Sequence, residues 1–151
     1  MDPGRGNEVQ MVELSDGSVM LNSRSAGGKK LRKTAISVDG GINWTGLKDD
    51  LNLTDPNCMG SVINMPIEGS EKPVLVFSNP FTSSGRFYGT LQVSFDDGNS
   101  WSVNKCIYNG SYAYSCLSDI GKDKVGVLFE RDNYSAISFL KTDLDWLIRK
   151  L

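Results

Sequence analysis

Histidine is absent from all 151 residues. That removes Ser–His triads, imidazole metal sites and the usual general base with a pKa near neutrality. Cysteine is scarce. Cys58, Cys106 and Cys116 lack C-x-x-C spacing, so they outline no zinc or disulfide framework, and one thiol stays unpaired under any connectivity. They read as small buried hydrophobes. No stretch approaches the ~20 apolar residues of a membrane span, and residues 1–6 hold no apolar core of a secretion signal. Neither sign of charge prevails. The chain has 16 Lys+Arg against 18 Asp+Glu, net −2. Its densest basic cluster, Lys29-Lys30 with Arg32-Lys33, is too small for a nucleic-acid surface. No Asp/Glu loop with calcium-binding spacing occurs. Acid–base chemistry is left to carboxylates, Tyr or Lys.

What fills the chain instead is a series of short β-type runs separated by turn residues. Hydrophobic residues make up 39% of it, which supplies a core and argues against disorder. Residues 9–14 and 18–24 flank Ser15-Asp16-Gly17, a hairpin signal. Further runs cover 31–37, 44–47, 61–65, 73–78, 89–94, 101–107, 113–118, 124–130 and 135–141. Val74-Leu75-Val76-Phe77 lacks alternation and reads as a strand buried on both faces. Residues 143–151 read as a short helix with Trp146 and Leu147 facing inward, and 49–57 and 79–85 as longer loops. Composition does not shift, so residues 1–151 read as one all-β unit without a second domain. The Asn-x-Ser/Thr triplets at Asn43, Asn52, Asn109 and Asn133 reflect turn composition.

One pattern occurs twice. Ser37-Val38-Asp39-Gly40-Gly41-Ile42-Asn43-Trp44 returns as Ser94-Phe95-Asp96-Asp97-Gly98-Asn99-Ser100-Trp101, both reading S-x-D-x-G-x-x-W. One copy is expected by chance in well under about one chain in a thousand of this length, so two mark an internal repeat. The physics fits a tight turn between strands. The Asp side chain accepts backbone N–H bonds from residues ahead of it, and the Gly takes φ > 0 without strain. The Trp then packs its ring where the next strand begins. The pattern resembles the Asp-box found in the blades of certain β-propellers, sialidases above all. Four strands and one such turn per unit imply blades of roughly 45–55 residues, about three in this chain. Propellers close with four to eight blades. Three blades would leave sheet edges and an apolar flank open, so the chain is expected to belong to a larger ring or to self-associate.

The resemblance extends beyond the turns. Asn7-Glu8-Val9-Gln10, Leu21-Asn22-Ser23-Arg24, Arg86, Ala113-Tyr114-Ser115-Cys116-Leu117 and Val127-Leu128-Phe129-Glu130 occur in an order similar to the C-terminal half of a bacterial-type sialidase catalytic domain. That resemblance implies a six-bladed propeller that removes terminal α-linked sialic acid from glycans with retention, using a Tyr nucleophile. It implies no cofactor and no metal, and a parent enzyme that is secreted or at the cell surface. Arg24 and Arg86 resemble two of three arginines that grip the substrate carboxylate, for which a planar guanidinium offers paired donors. Tyr114 resembles the nucleophile, and Glu8 the base that takes its proton, needed because a free phenol titrates near ~10. A neutral phenol also avoids the repulsion a carboxylate nucleophile would meet beside the substrate's own carboxylate. Tyr112 competes with Tyr114, and Glu13 with Glu8. Glu130 resembles the carboxylate that orients the first arginine, or is one half of a structural pair with Arg131 or a nearby Lys.

Two parts of that family's machinery have no counterpart. No Phe-Arg-Ile-Pro-type motif supplies the first arginine, and Asp2, Asp49 and Asp50 do not occupy the context of the general acid. Loss of the acid alone removes on the order of 10²–10⁴ in rate, so the isolated chain is expected to be inactive or nearly so. A different class of function also fits repeated turns: a non-catalytic propeller fragment that binds glycan or protein. The joint presence of Glu8, Arg24, Arg86 and Tyr114 argues against it.

Overall fold

The computed structural model describes residues 6–26 and 29–149. Strands β1 (Gly6–Glu13), β2 (Val19–Ser25), β3 (Leu31–Ser37) and β4 (Lys48–Thr54) form an antiparallel sheet in chain order. Strands β5 (Ser61–Met65), β6 (Val74–Pro80), β7 (Phe87–Ser94), β8 (Val103–Asp119), β9 (Lys124–Arg131) and β10 (Ala136–Asp143) follow the same order. The 17-residue β8 serves two sheets. Its first part, through Ser111, pairs with β7, and its second part, from Tyr112, pairs with β9. The result is three meandering sheets, the second and third joined through β8.

The first strands of the sheets lie side by side. Gln10 Oε1 on β1 accepts bonds from Ser61 Oγ (2.9 Å) and the Val62 N–H (3.1 Å) on β5. Ser61 Oγ in turn accepts the Leu117 N–H of β8 at 2.9 Å. From this shared line the sheets fan outward and bury their faces on one another. Val12, Leu14, Met20 and Leu53 of the first sheet and its connections meet Val62, Leu75, Phe77 and Trp101. Val74, Val76, Leu91 and Val93 meet Leu117, Val125, Val127 and Phe129 on the other side. This explains the run Val74–Phe77: alternate side chains enter different cores, and all four are at most 2% exposed. Each such burial contributes roughly 1.5–3 kcal/mol.

Several expectations are corrected. The fourth strand is Lys48–Thr54 and not residues 44–47. Asp and Asn disfavour strands, but Lys29 and Lys33 clamp Asp49 while Leu53 is fully buried, and these contacts fix an otherwise polar edge. The helix is α1 (Leu144–Ile148), which buries Leu144 and Leu147. Trp146 is exposed, because an i, i+3 apolar pair sets the inward stripe and leaves position 146 off it. Its ring instead covers Lys105, whose Nζ lies 4.6 Å from the ring centroid and donates to the Trp146 carbonyl at 2.7 Å. Residues 150 and 151 of the expected helix lie outside the described residues. Of the cysteines only Cys58 is buried. Strand alternation turns Cys106 and Cys116 outward, opposite their inward neighbours Lys105 and Leu117.

Candidate active site

The structure gathers Glu8, Arg24, Arg86 and Tyr114 at one end of the three sheets. Glu8 lies near the start of β1, Arg24 near the end of β2, Arg86 just before β7 and Tyr114 in the second half of β8. Two of the four lie in interruptions of the strand ladder. The β1–β2 register shifts between Gly6 and Val9, around Glu8, and the β8–β9 register shifts between Tyr112 and Ser115, around Tyr114. Such bulges re-aim side chains that a regular pleat would send elsewhere.

Tyr114 OH donates a hydrogen bond to Glu8 Oε1. Arg24 Nη1 donates to Glu8 Oε2 at 2.8 Å and to Tyr114 OH at 3.2 Å. The Arg86 guanidinium lies over the Tyr114 ring, 5.3 Å from its centroid. Its Nη1 donates to Tyr134 OH at 2.8 Å and its Nη2 to the Asn57 carbonyl at 3.1 Å. The group is half-buried at a rim, with side-chain exposures of 21% for Arg24 and 32% for Glu8.

These contacts set the protonation states. Partial burial works to raise the Glu8 pKa, but the bonds from Arg24 and Tyr114 outweigh it and hold the carboxyl below its ordinary 4.5. The bond to Glu8, together with desolvation, pushes the Tyr114 phenol above its ordinary 10.0, and both arginines oppose that rise. At neutral pH the arrangement is therefore a phenol on a carboxylate, flanked by two guanidinium ions. Across these four groups the balance is one positive charge, carried by guanidinium ions suited to an anion, and the Glu130 carboxylate at the Tyr114 N–H stands against it.

The competing residues fall away from this group. Tyr112 is fully buried. Its hydroxyl bonds Ser78 Oγ at 2.6 Å and its ring stacks on Phe129 at 4.9 Å. Burial pushes its pKa to about 12. Gly89 makes room for the ring, since a Cβ there would lie 2.0 Å from it. Glu13 is exposed, five residues along β1 and facing away from Glu8. Glu130 is half-buried, and its Oε2 accepts the Tyr114 N–H at 3.2 Å. It therefore steadies the β8 bulge from below. The alternative pairing with Arg131 does not form: Arg131 bonds Asp132 and Ser138. Among the described residues Glu130 makes no ion pair.

Sequence reading missed Tyr134. It sits at the tip of the β9–β10 turn, where Asp132, Asn133 and Tyr134 all have positive φ (54°, 54° and 69°). Asp-Asn is a turn signal, so the sequence marks the turn, but nothing in it marks the Tyr134 hydroxyl as a partner of Arg86. A mostly apolar recess of about 190 Å³ opens beside Tyr114, lined by Met59, Cys116, Leu128, Glu130 and Ile137 among others. A larger polar cavity, about 480 Å³, lies by α1 against Ile67, Lys122 and Asp143 and holds none of the four residues. Among the described residues no group of three or more His, Cys, Asp or Glu is placed to hold a metal ion, and no helix is long and apolar enough to cross a membrane.

Comparison with known proteins gives a consistent answer. No family model matches the chain. A sialidase from Micromonospora viridifaciens is 37% identical over an alignment of 145 residues that covers 93% of this chain and 22% of the relative. A sialidase from Bacteroides fragilis is 36% identical over an alignment of 129 residues that covers 82% of this chain and 24% of the relative. The chain thus spans about a quarter of the length of the curated relatives it matches. Among solved structures, the Hadza microbial sialidase Hz136 superposes with a TM-score of 0.82 at 32% identity, over 95% of this chain and 28% of that one. The intramolecular trans-sialidase from Ruminococcus gnavus, at 22% identity, shares the fold with a TM-score of 0.80 over 95% of this chain and 34% of that one.

Proposed function

This chain is part of a bacterial-type sialidase domain, and from that premise we propose that it carries the nucleophile side of an exo-α-sialidase site. The observation that carries the reading is the triangle of Tyr114 OH, the Glu8 carboxylate and Arg24 Nη1. In this reading Arg24 and Arg86 receive the sialic acid carboxylate. The Tyr114 oxygen attacks the anomeric carbon while its proton passes to Glu8 Oε1. The glycosidic C–O bond breaks with its electron pair leaving on oxygen, which takes a proton from a general acid. Water then attacks the anomeric carbon from the face that the leaving group left and gives its proton to the deprotonated general acid, while the tyrosyl–sugar bond breaks onto the Tyr114 oxygen and Glu8 returns the proton to it. The elevated Tyr114 pKa keeps the phenol neutral until attack, and the lowered Glu8 pKa keeps the base ready.

We assign the general acid and the third carboxylate-binding arginine to sequence beyond these 151 residues. Asp49 is held by Lys29 and Lys33, and Asp50 is buried beneath Trp101, so both serve structure. Asp2 lies outside the described residues. Glu130 waits at the rim for the missing cation. The flanks support the same reading. Leu128, Ile137 and Phe139 form an exposed apolar row on β9 and β10, and Val9 and Met11 are exposed on β1. Further sheets, or a second copy, would cover them. The parent enzyme, acting on sialylated glycans, fits a secreted or surface location.

Release of a fluorescent leaving group from a sialoside tests the proposal. The 151-residue chain alone should give little or no turnover, and the complete domain should be active. Tyr114→Phe or Glu8→Gln should then remove most of that activity, on the order of 10²-fold or more. Robust turnover by the short chain would overturn the divided-site reading. Size exclusion with light scattering tests the open flanks, because a stable monomer without self-association counts against them.

A further inference from the structure

Beneath the rim lies a second arginine–carboxylate pair that the proposed reaction does not use. Arg32 and Asp55 are both completely buried, with Arg32 Nη1 3.4 Å from Asp55 Oδ2. The other bonds of the pair reach two places, strand β2 and the backbone of Cys58. Asp55 Oδ2 accepts the Ser25 N–H and Oδ1 the Cys58 N–H, each at 2.9 Å. Arg32 Nη1 donates to the Cys58 carbonyl and Nε to Asn22 Oδ1, each at 2.7 Å. The guanidinium also lies 5.5 Å from the centroid of the Phe77 ring, in the second sheet.

The neighbours of these anchor points are the site residues. Ser25 follows Arg24. Cys58 follows Asn57, whose carbonyl accepts Arg86 Nη2 at 3.1 Å. One buried carboxylate thus fixes the backbone beside the first rim guanidinium and the backbone that steers the second. Asn57 adopts φ 63°, a left-handed conformation that Asn accepts more readily than most L residues. A buried ion pair is weak evidence for stability, since an apolar pair of similar volume often serves as well. Its use here is geometric.

We propose that Asp55, acting with Arg32, is a positioning residue that sets the separation and aim of Arg24 and Arg86, and so tunes the rim for a planar carboxylate. The role in substrate binding rests on the sialidase reading above; the positioning itself does not. The test uses the 151-residue chain and follows the guanidinium N–H resonances of Arg24 and Arg86, assigned with Arg24→Lys and Arg86→Lys. Asp55→Asn should shift both sets of resonances together. Leu53→Ala, a buried change in the same strand region, should lower stability and leave them in place. A double variant, Arg32→Met with Asp55→Leu, separates packing from positioning. It should regain much of the stability and still show displaced arginine resonances.

In the complete domain Asp55→Asn should raise KM for a sialoside about tenfold, with a smaller change in kcat, as expected when a clamp loses its aim. Unmoved arginine resonances in a folded Asp55 variant, or their full restoration by the apolar pair, would overturn the positioning role. Resonances that shift in Asp55→Asn, together with a complete wild-type domain that binds no sialic acid, would instead overturn the functional reading and leave the positioning intact.

Discussion

The turn at residues 37–44 and the turn at 94–101 make the same bonds with the same atoms. In each, the Ser hydroxyl accepts the Gly N–H four residues on at 2.8 Å. In each, the Asp Oδ1 accepts the N–H four residues on at 2.8 Å while Oδ2 binds that residue's side chain. Their tryptophans part company. Trp101 is 6% exposed, tilts against Phe77 at 5.8 Å and sends its indole N–H across to Asp50 in the first sheet. Trp44 stays half-buried and bonds the Gly41 carbonyl of its own turn at 2.9 Å. A second difference follows. The left-handed position filled by Gly40 in one turn is Asp97 in the other, and Asp97 accepts both the N–H and the hydroxyl of Ser15. One octapeptide therefore builds a turn, and the other uses the same turn to fasten two sheets together. That fastening also serves the rim, since Glu8 and Arg24 stand on the first sheet and Arg86 on the second.

The comparison breaks most visibly at the tryptophans. Trp101→Ala should cost about 3–5 kcal/mol, the range for a large aromatic removed from a core, and Trp44→Ala about 1 kcal/mol. Urea unfolding of the two variants measures the gap, and equal losses would mean that the second turn does not fasten the sheets. The glycines come next. Gly98 has φ +86° and a Cβ there would meet Met20 Sδ at 3.1 Å, whereas at Gly41 (φ +92°) the nearest atom is 3.5 Å away in Trp44. Each Ala variant carries a backbone penalty of about 1–2 kcal/mol, and Gly98→Ala should lose somewhat more because the buried Met20 side chain must also shift.

The smallest effect is electrostatic. The Asn43 N–H, then the Asn43 side chain and the Ser37 hydroxyl, pull the Asp39 pKa from 3.8 down to about 2. At Asp96 burial opposes the bonds from Ser100 and Ser94, though the pKa is still lowered. Both folded-state values lie below the unfolded one. Each carboxylate thus contributes its full stability above the ordinary Asp range, and the contribution fades as pH falls through the folded value. Titration of the carboxyl carbons by NMR should find Asp39 the more acidic of the two. The reverse order would mean that the sheet contacts tighten the second turn more than they desolvate it.

Much of this was legible in the chain because it is local. The repeated turns, the Ser15-Asp16-Gly17 hairpin and the doubly buried Val74–Phe77 strand follow from residues within a few positions of one another. β4 was not legible, since its polar residues carry little strand signal and two lysines from elsewhere stabilise it. At the candidate site, Glu8, Arg24, Arg86 and Tyr114 were singled out by their resemblance to a family's motifs, and the structure brings the four together. Tyr134, Asp55 and Arg32 were missed because nothing around them in sequence marks their partners. The choice of Tyr114 over Tyr112 needed the bulge in β8, which sends one ring to the rim and the other into the core.

By itself the sequence determined the turns, the β-rich architecture and the chemical repertoire, with histidine excluded and a phenol, carboxylates and guanidinium groups supplied. Those properties depend on backbone preferences and side-chain identities, which act over a few residues. The tertiary structure alone decided which groups meet. Glu8 and Tyr114 are 106 positions apart and share one proton's path, because three sheets bury their faces on one another and bring their first strands together. Burial is a sum over the whole chain, so no single stretch of sequence contains it.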